Sequence, residues 1–310
     1  MISRRNIRIK VMQLLYVIDT VHEEQAFKNP VLELQKKFDK SRELLTYLIY
    51  FLTEVARYSE TDAKHRASKN ITSQADLNVN IKIAGNETLW QILESPSFKK
   101  AVENDKPELV IDRELLKKVY NNLVESEEYQ VYIAEQGRDK KNEKAIMQFI
   151  FTNLMLPNEL VESHIEELFA NWDDDGEMME QLVLNFLQKP VAYNLQQIIS
   201  PDKWLFAKTL LATSIDKKEY TLEVIKPKLK NWDADRIALL DMIIMQMGVC
   251  ELLYFETIPT KVTINEYIDL AKDYSTEQSG HFVNGILDNI HKELMLEGKI
   301  QKIDFKQKSH

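Results

Sequence analysis

Glycine and proline are scarce in this chain, 7 and 8 in 310 residues, where average usage would supply roughly 20 and 15. With so few backbone punctuators and so much Leu, Lys, Glu and Gln, helices are the expected element. There is one cysteine, Cys250, which excludes a disulfide framework and suits a reducing compartment, so a cytoplasmic protein is expected. No apolar run is long enough to span a bilayer. The basic start, MISRRNIRIK, leads into an amphipathic segment rather than the apolar stretch of a signal peptide. Catalytic signatures are missing as well. There is no G-x-x-x-x-G-K-[ST], no H-E-x-x-H and no G-x-S-x-G. The six histidines show no metal-ligand spacing with the cysteine, and Asp173, Asp174 and Asp175 do not sit in an EF-hand pattern. Cys250 lies in the apolar run MQMGVCELL and reads as a buried, inert thiol. No enzyme activity, no cofactor and no metal site are expected.

What is present is apolar content of 44%, enough for a sizeable core, and 29% charged residues, enough for a solvated surface. The net charge of −9 argues against nucleic acid only if it is spread evenly, because RNA responds to a local patch. It is not spread evenly. Arg4, Arg5, Arg8 and Lys10 occur in the first ten residues without an acid, the tail KIQKIDFKQKSH is basic, and acid collects in the middle, as in NWDDDGEMME.

Helical spacing predicts a first helix over Arg4 to Asp19, capped by Ser3, with Ile7, Val11, Leu14, Leu15 and Ile18 on one stripe. A second is expected from Arg42 to Lys64. The polar stretch SKNITSQADLNVNIKIAGNETLW reads as a loop with one short strand. Helices are expected over 112–135 and 142–156, the latter stopped by Pro157, and over 159–171. The acidic WDDDG reads as a loop before a helix ending near Gln188. Further helices fit Lys203 to Lys217, Thr221 to Leu229 and Ala234 to Tyr254. Thr263-Ile264-Asn265-Glu266 reads as a capping box opening another helix. The last helix carries Val283, Ile286, Leu287, Ile290 and Leu294 on one face.

The segment IPTKVTINEYIDLAKDYSTEQSGHFVNGILD resembles the C-terminal signature of the NusB family. There a proline-led turn precedes a V-x-I-N-E-x-[VI]-x-L-A-K helix and then F-V-N-G-[VI]-L. The matching positions are Val262, Ile264, Asn265, Glu266, Leu270, Ala271 and Lys272, then Phe282, Val283, Asn284, Gly285 and Leu287. WDADRIALLDMIIMQMGVCELL is similar to the family's W-x-x-x-R-[IL]-x-x-x-[DE] helix, with Gln246 where an arginine is common. RRNIRIKVMQLLYVID is similar to its arginine-rich first helix. The resemblance implies an all-α, NusB-like bundle. Its first helix occupies 1–26, an inserted helical region 27–190, the rest of the bundle 191–298, and a basic tail 299–310. The first helix is expected to pack on the helices after Lys203. The resemblance further implies a transcription antitermination factor that binds single-stranded boxA-type RNA with a NusE-like small-subunit ribosomal protein, within an RNA polymerase antitermination complex.

Candidate residues follow. Arginines in a first helical turn oppose the helix dipole, so Arg4, Arg5 and Arg8 are not placed for the helix itself; phosphate contact is the expected role, with Gln13 offering an amide nearby. Phe282 lies roughly 95° from the centre of the last helix's buried face, a position suited to stacking on an unpaired base or to completing a core rim. Tyr16 and Asp241 are the candidates for the protein partner, against an ordinary rim hydroxyl and an internal ion pair. Two other readings stand beside this one. The same helical domain fronts some rRNA methyltransferases, which would need a glycine-rich cofactor domain, and a helical scaffold that has lost RNA binding would use the insertion as its working surface.

Overall fold

The computed structural model describes residues 1–21, 28–71, 73–74, 78–229 and 237–303. Among the described residues there are fourteen α-helices and no strand, so the all-α expectation holds. None of these helices is long and apolar enough to cross a membrane. The chain divides into two compact units, one made of Met1 with 38–198 and the other of 2–37 with 199–310. The division falls inside a single 38-residue helix, Pro30–Ala67, rather than in the loop after the first helix, because the apolar pattern of that helix continues N-terminal to Arg42 through Leu34 and Phe38, both buried.

In the second unit, α1 spans Arg4–Thr20 and is capped by Ser3, whose hydroxyl accepts from the Asn6 amide. Ile7, Val11, Leu14 and Leu15 are buried, each burial stabilising by about 1.5–3 kcal/mol. The unit also holds the start of α2 (Pro30–Ala67), then α10 (Pro201–Asp216), α11 (Lys218–Ile225), α12 (Leu239–Tyr254), α13 (Thr260–Tyr274) and α14 (Glu277–Leu296). Helix α1 packs on α10 and α12, and α12 also packs on α11, α13 and α14. A helix apolar on all sides belongs in an interior, and α12 is one: Ile243, Ile244, Met245, Met247, Val249, Cys250 and Leu252 are all buried. Gly248 allows the close approach, since a Cβ there would lie 3.1 Å from both Leu287 methyls and 3.4 Å from the Tyr267 ring. The part of the expected 234–254 helix that precedes residue 237 lies outside the described residues.

The first unit holds the rest of α2 with α3 (Glu87–Glu94), α4 (Pro96–Asp105), α5 (Arg113–Glu125), α6 (Glu127–Ala134), α7 (Lys140–Phe149), α8 (Glu159–Leu168) and α9 (Trp172–Gln188). Leu44, Leu45, Leu48, Leu52 and Val55 on α2 are fully buried. Three expectations need correction here. The 112–135 helix is two helices, because Ser126 leaves the helical conformation and caps α6, its hydroxyl accepting from the Tyr129 amide. The strand expected before Asn86 is a single 3-10 turn over Lys82–Gly85. WDDDG is not a loop: Trp172 opens α9, and Asp173, Asp174 and Asp175 fill its first turn, where the helix dipole favours negative charge.

Candidate nucleic-acid interface

The residues singled out in the second unit separate into a buried ionic network and a partly exposed periphery. The network centres on Glu251 near the end of α12, which is fully buried. Its Oε1 accepts from Arg8 Nη2 at 2.7 Å and from Thr263 Oγ1 at 2.9 Å. Its Oε2 accepts from Arg8 Nε at 2.9 Å and from the Tyr267 hydroxyl at 3.1 Å. Arg8 Nη1 donates to Glu266 Oε2 at 3.0 Å, and the guanidinium lies 5.4 Å from the Phe206 ring centre and 5.7 Å from that of Tyr267. Burial alone would lower the Arg8 pKa, but the hydrogen bonds and charge of Glu251, with Tyr267 and Glu266, outweigh it and hold the pKa above its ordinary value. Burial, reinforced by the Glu251 charge, pushes the Tyr267 phenol well up. Arg8 thus stays charged and the Tyr267 phenol neutral at neutral pH.

This placement corrects two expectations. Arg8 does not face solvent: it is 2% exposed, and its guanidinium is engaged by two carboxylates, so it is not available to a phosphate. The signal for it was the acid in the otherwise apolar MQMGVCELL run, since a buried carboxylate requires a cation or several donors. Thr263 and Glu266 do not form a capping box. Helix α13 begins a turn earlier, after Pro259, and both side chains are drawn instead to the Arg8–Glu251 pair.

The other candidates lie nearer the surface. Arg4 is exposed, with its guanidinium 5.6 Å from the Phe206 ring centre. Arg5 is half-exposed and ion-paired with Asp273 at the end of α13. No acid occupies the first turn of α1, so the unfavourable dipole arrangement read from the sequence is present. Gln13 is half-buried. On α14, Phe282 is half-buried while Asn284 and Gly285 are exposed. A Cβ on Gly285 would meet nothing within 4 Å. Packing among the described residues therefore does not explain that glycine, which costs an exposed helix roughly 1 kcal/mol relative to alanine. Tyr16 is 42% exposed. Asp241 is buried at the start of α12. Its Oδ2 accepts from Ser279 Oγ at 2.9 Å, while its Oδ1 is buried with no hydrogen-bond donor among the described residues. The geometry brings Arg4, Arg8 and Phe206 together, Arg5 to Asp273, and Asp241 to the first turn of α14, three residues before Phe282. Missed by sequence reasoning were Glu251, Phe206 and Asp273 as partners of the arginines, and Lys302. In the basic tail, Lys302 Nζ donates to the Glu251 carbonyl at 3.0 Å and the Phe255 carbonyl at 2.8 Å. It closes the C-terminus of α12 as a cation should, and burial lowers its pKa. Tail residues 304–310 lie outside the described residues.

Part of the chain is similar in sequence to known proteins. The NusB family model matches residues 166–292. The chain is 45% identical over 128 residues to the transcription antitermination protein NusB of Finegoldia magna, a stretch covering 41% of this chain and 85% of that protein. It is 35% identical over 141 residues to the NusB protein of Salinibacter ruber, covering 46% of this chain and 84% of that protein. The NusB protein of Bacillus mycoides is 42% identical over 85 residues, 27% of this chain and 65% of that protein. The family match begins at Glu166, so the end of α8 and all of α9 fall within it. No solved structure matches.

Proposed function

Because the chain belongs to the NusB family of transcription antitermination proteins, we propose that it binds a single-stranded, boxA-type element of nascent ribosomal RNA together with a NusE-like ribosomal protein, and that it acts there by binding, without catalysing a reaction. The observation that carries the reading is the first turn of α1. Arg4 and Arg5 stand at the positive end of a helix that has no acid in its first turn, a placement that is unfavourable for the helix and favourable for a phosphate track. Phe282 and the open surface over Gly285 supply a place for a base. Arg8 is excluded from the contact set and orients α1 from within. For the protein partner, Tyr16 offers an exposed hydroxyl, while Asp241, buried at the start of α12, bears on the partner face only by holding Ser279 in the first turn of α14.

The test is fluorescence anisotropy with a boxA-like RNA over a salt series, with and without the ribosomal protein. Each phosphate contact contributes about 0.7 to the salt slope for a single strand, so Arg4→Ala with Arg5→Ala should flatten the slope by about 1.4 and weaken all RNA sequences alike. Phe282→Ala should cost about 1–3 kcal/mol with the slope unchanged, because stacking releases no counterions. Unaltered affinity of the double arginine variant at every salt concentration refutes this interface.

A further inference from the structure

The first unit contains a groove between α6 and α7, with a volume of about 350 Å³. Val131, Ala145, Ile146 and Phe149 supply its apolar surface, and Glu127, Glu128 and Glu135 stand along it. No lysine or arginine lines it. Val131, in the middle of α6, is 57% exposed. A β-branched apolar side chain left open to water between carboxylates is unexpected on a solvated helix face.

Two of the acids have a local explanation, since Glu127 and Glu128 sit in the first turn of α6 and complement its dipole. Glu135 does not. It follows the last residue of the same helix, where the dipole disfavours negative charge. Instead it is held at the groove by Asn142 of α7, whose amide donates to both its carboxylate oxygens at 2.8 and 3.0 Å. Asn142 is neutral, and the nearest cation, Lys82, donates to the Glu135 and Tyr132 carbonyls at 2.8 and 2.6 Å rather than to the carboxylate, so the charge of Glu135 is offset but not ion-paired. None of the three acids has an ion-pair partner among the described residues. The groove is therefore apolar along its floor and negative at the N-terminal end of α6, where Glu127 and Glu128 stand, with Lys82 offsetting Glu135 at the other end.

We propose that this groove is a docking site for a short amphipathic helix of another protein, with an apolar stripe for the floor and lysines or arginines for the rim. The geometry fits that mode of recognition. Helix α6 has eight residues and so runs about 12 Å, the length over which two turns of a bound helix present anchors at i, i+3, i+4 and i+7. Charge decides between occupants. RNA is repelled by the Glu127 and Glu128 carboxylates, which have no cation beside them among the described residues. A second copy of the chain presenting this same unit brings like charge, because residues 38–198 hold 28 acidic against 18 basic side chains. A basic helix has neither penalty, and its charges would be met by Glu127 and Glu128 at the N-terminal end of α6.

The experiment uses the full chain and a labelled 14-residue peptide with leucines at i, i+3, i+4 and i+7 and lysines elsewhere, beside a counterpart with glutamates for lysines. The basic peptide should bind saturably and the acidic one should not. Glu127→Lys with Glu128→Lys, and separately Val131→Lys, should each weaken binding about tenfold or more. All three side chains are exposed, so helical circular dichroism should be unchanged. Glu162→Lys with Glu166→Lys, exposed acids on α8, alters net charge by the same amount outside the groove and should weaken binding less than about threefold. Equal loss from the two charge-reversal pairs would mean diffuse attraction to an acidic surface and overturn the proposal. So would equal binding of both peptides, absence of binding at about 1 mM, or self-association that the peptide displaces.

Discussion

Arg8→Met tests whether the buried arginine is structural. In the wild type, Glu251 is fully buried and accepts four hydrogen bonds, two of them from Arg8. The substitution keeps a side chain of similar reach in the space beside Phe206 and Tyr267 but removes the cation. It leaves an interior carboxylate with only the Thr263 and Tyr267 hydroxyls. Breaking a buried pair by removing one partner costs about 3–5 kcal/mol, and the two surviving donors place this case near 3. The whole-chain unfolding curve is a poor readout because two units contribute. Hydrogen exchange of peptides from α12 is a better one, because opening of that helix requires the network to break. A loss of about 3 kcal/mol corresponds to an acceleration of roughly a hundredfold. Peptides from α5 and α6 in the other unit serve as the internal control. The reasoning fails if α12 exchange changes by less than about twofold while RNA affinity falls and the salt slope flattens. That result would put Arg8 on phosphate.

Three further outcomes follow from the geometry. Gly285→Ala should raise stability by up to about 1 kcal/mol in thermal unfolding, since nothing crowds the new methyl, and should weaken RNA binding if the strand approaches there. Gly248→Ala should lower stability by about 1–2 kcal/mol, because the methyl meets Leu287 at 3.1 Å in a packed interior and the overpacking outweighs the gain in helix propensity. Cys250, whose thiol burial pushes up to about 12, should resist alkylation at pH 8 in the folded protein and react once denatured; reaction at the rate of a free thiol would contradict its burial.

The fold was more legible than the site, for a physical reason. Helical periodicity reports which face is buried. It placed α1 within a residue at its C-terminus and assigned Ile7, Val11, Leu14 and Leu15 inward as observed. Periodicity says little about a polar residue bordering the stripe. Arg8 follows Ile7 directly and is as buried as its apolar neighbours, because a carboxylate 243 positions away accepts its charge. No local window contains that pairing. The same non-local pull moved Thr263 and Glu266 out of the cap that their spacing suggested. Phe282 was legible as marginal, and the structure leaves it half-buried. The charge asymmetry of residues 38–198 was visible in composition, and so was the break between residues 135 and 142, but the contact of Glu135 with Asn142 across that break depends on how the two helices pack, which helical periodicity does not report.

The buried pair also answers a problem posed by the sequence separation of the helices it joins. Helix α1 must find α10 and α12 across about 180 intervening residues, in a chain with many other apolar helix faces. Its stripe of Ile, Val and Leu does not discriminate among them, since hydrophobic burial is non-directional. Arg8 does discriminate, because docking it anywhere without a carboxylate buries an unpaired charge. Of the other buried acids among the described residues, Glu143 is occupied by Arg138 and Tyr132 and Asp175 by Ser41 and Asn171, whereas Asp241 is met by Ser279 on one oxygen only; Glu251 alone takes the Arg8 guanidinium, on both of its oxygens. Glu251 is therefore the address that α1 reads. Replacing both members, Arg8→Met with Glu251→Met, should then separate stability from specificity. Apolar replacements of a buried ion pair are commonly neutral or stabilising, so α12 exchange should return to within about tenfold of wild type, unlike the single variant. Refolding from urea should nevertheless yield a larger soluble but misdocked fraction, read as α1 peptides that exchange fast while those of the first unit are protected. Refolding yields equal to wild type would show that the apolar stripe alone finds its mate, and that the pair contributes nothing to pairing choice.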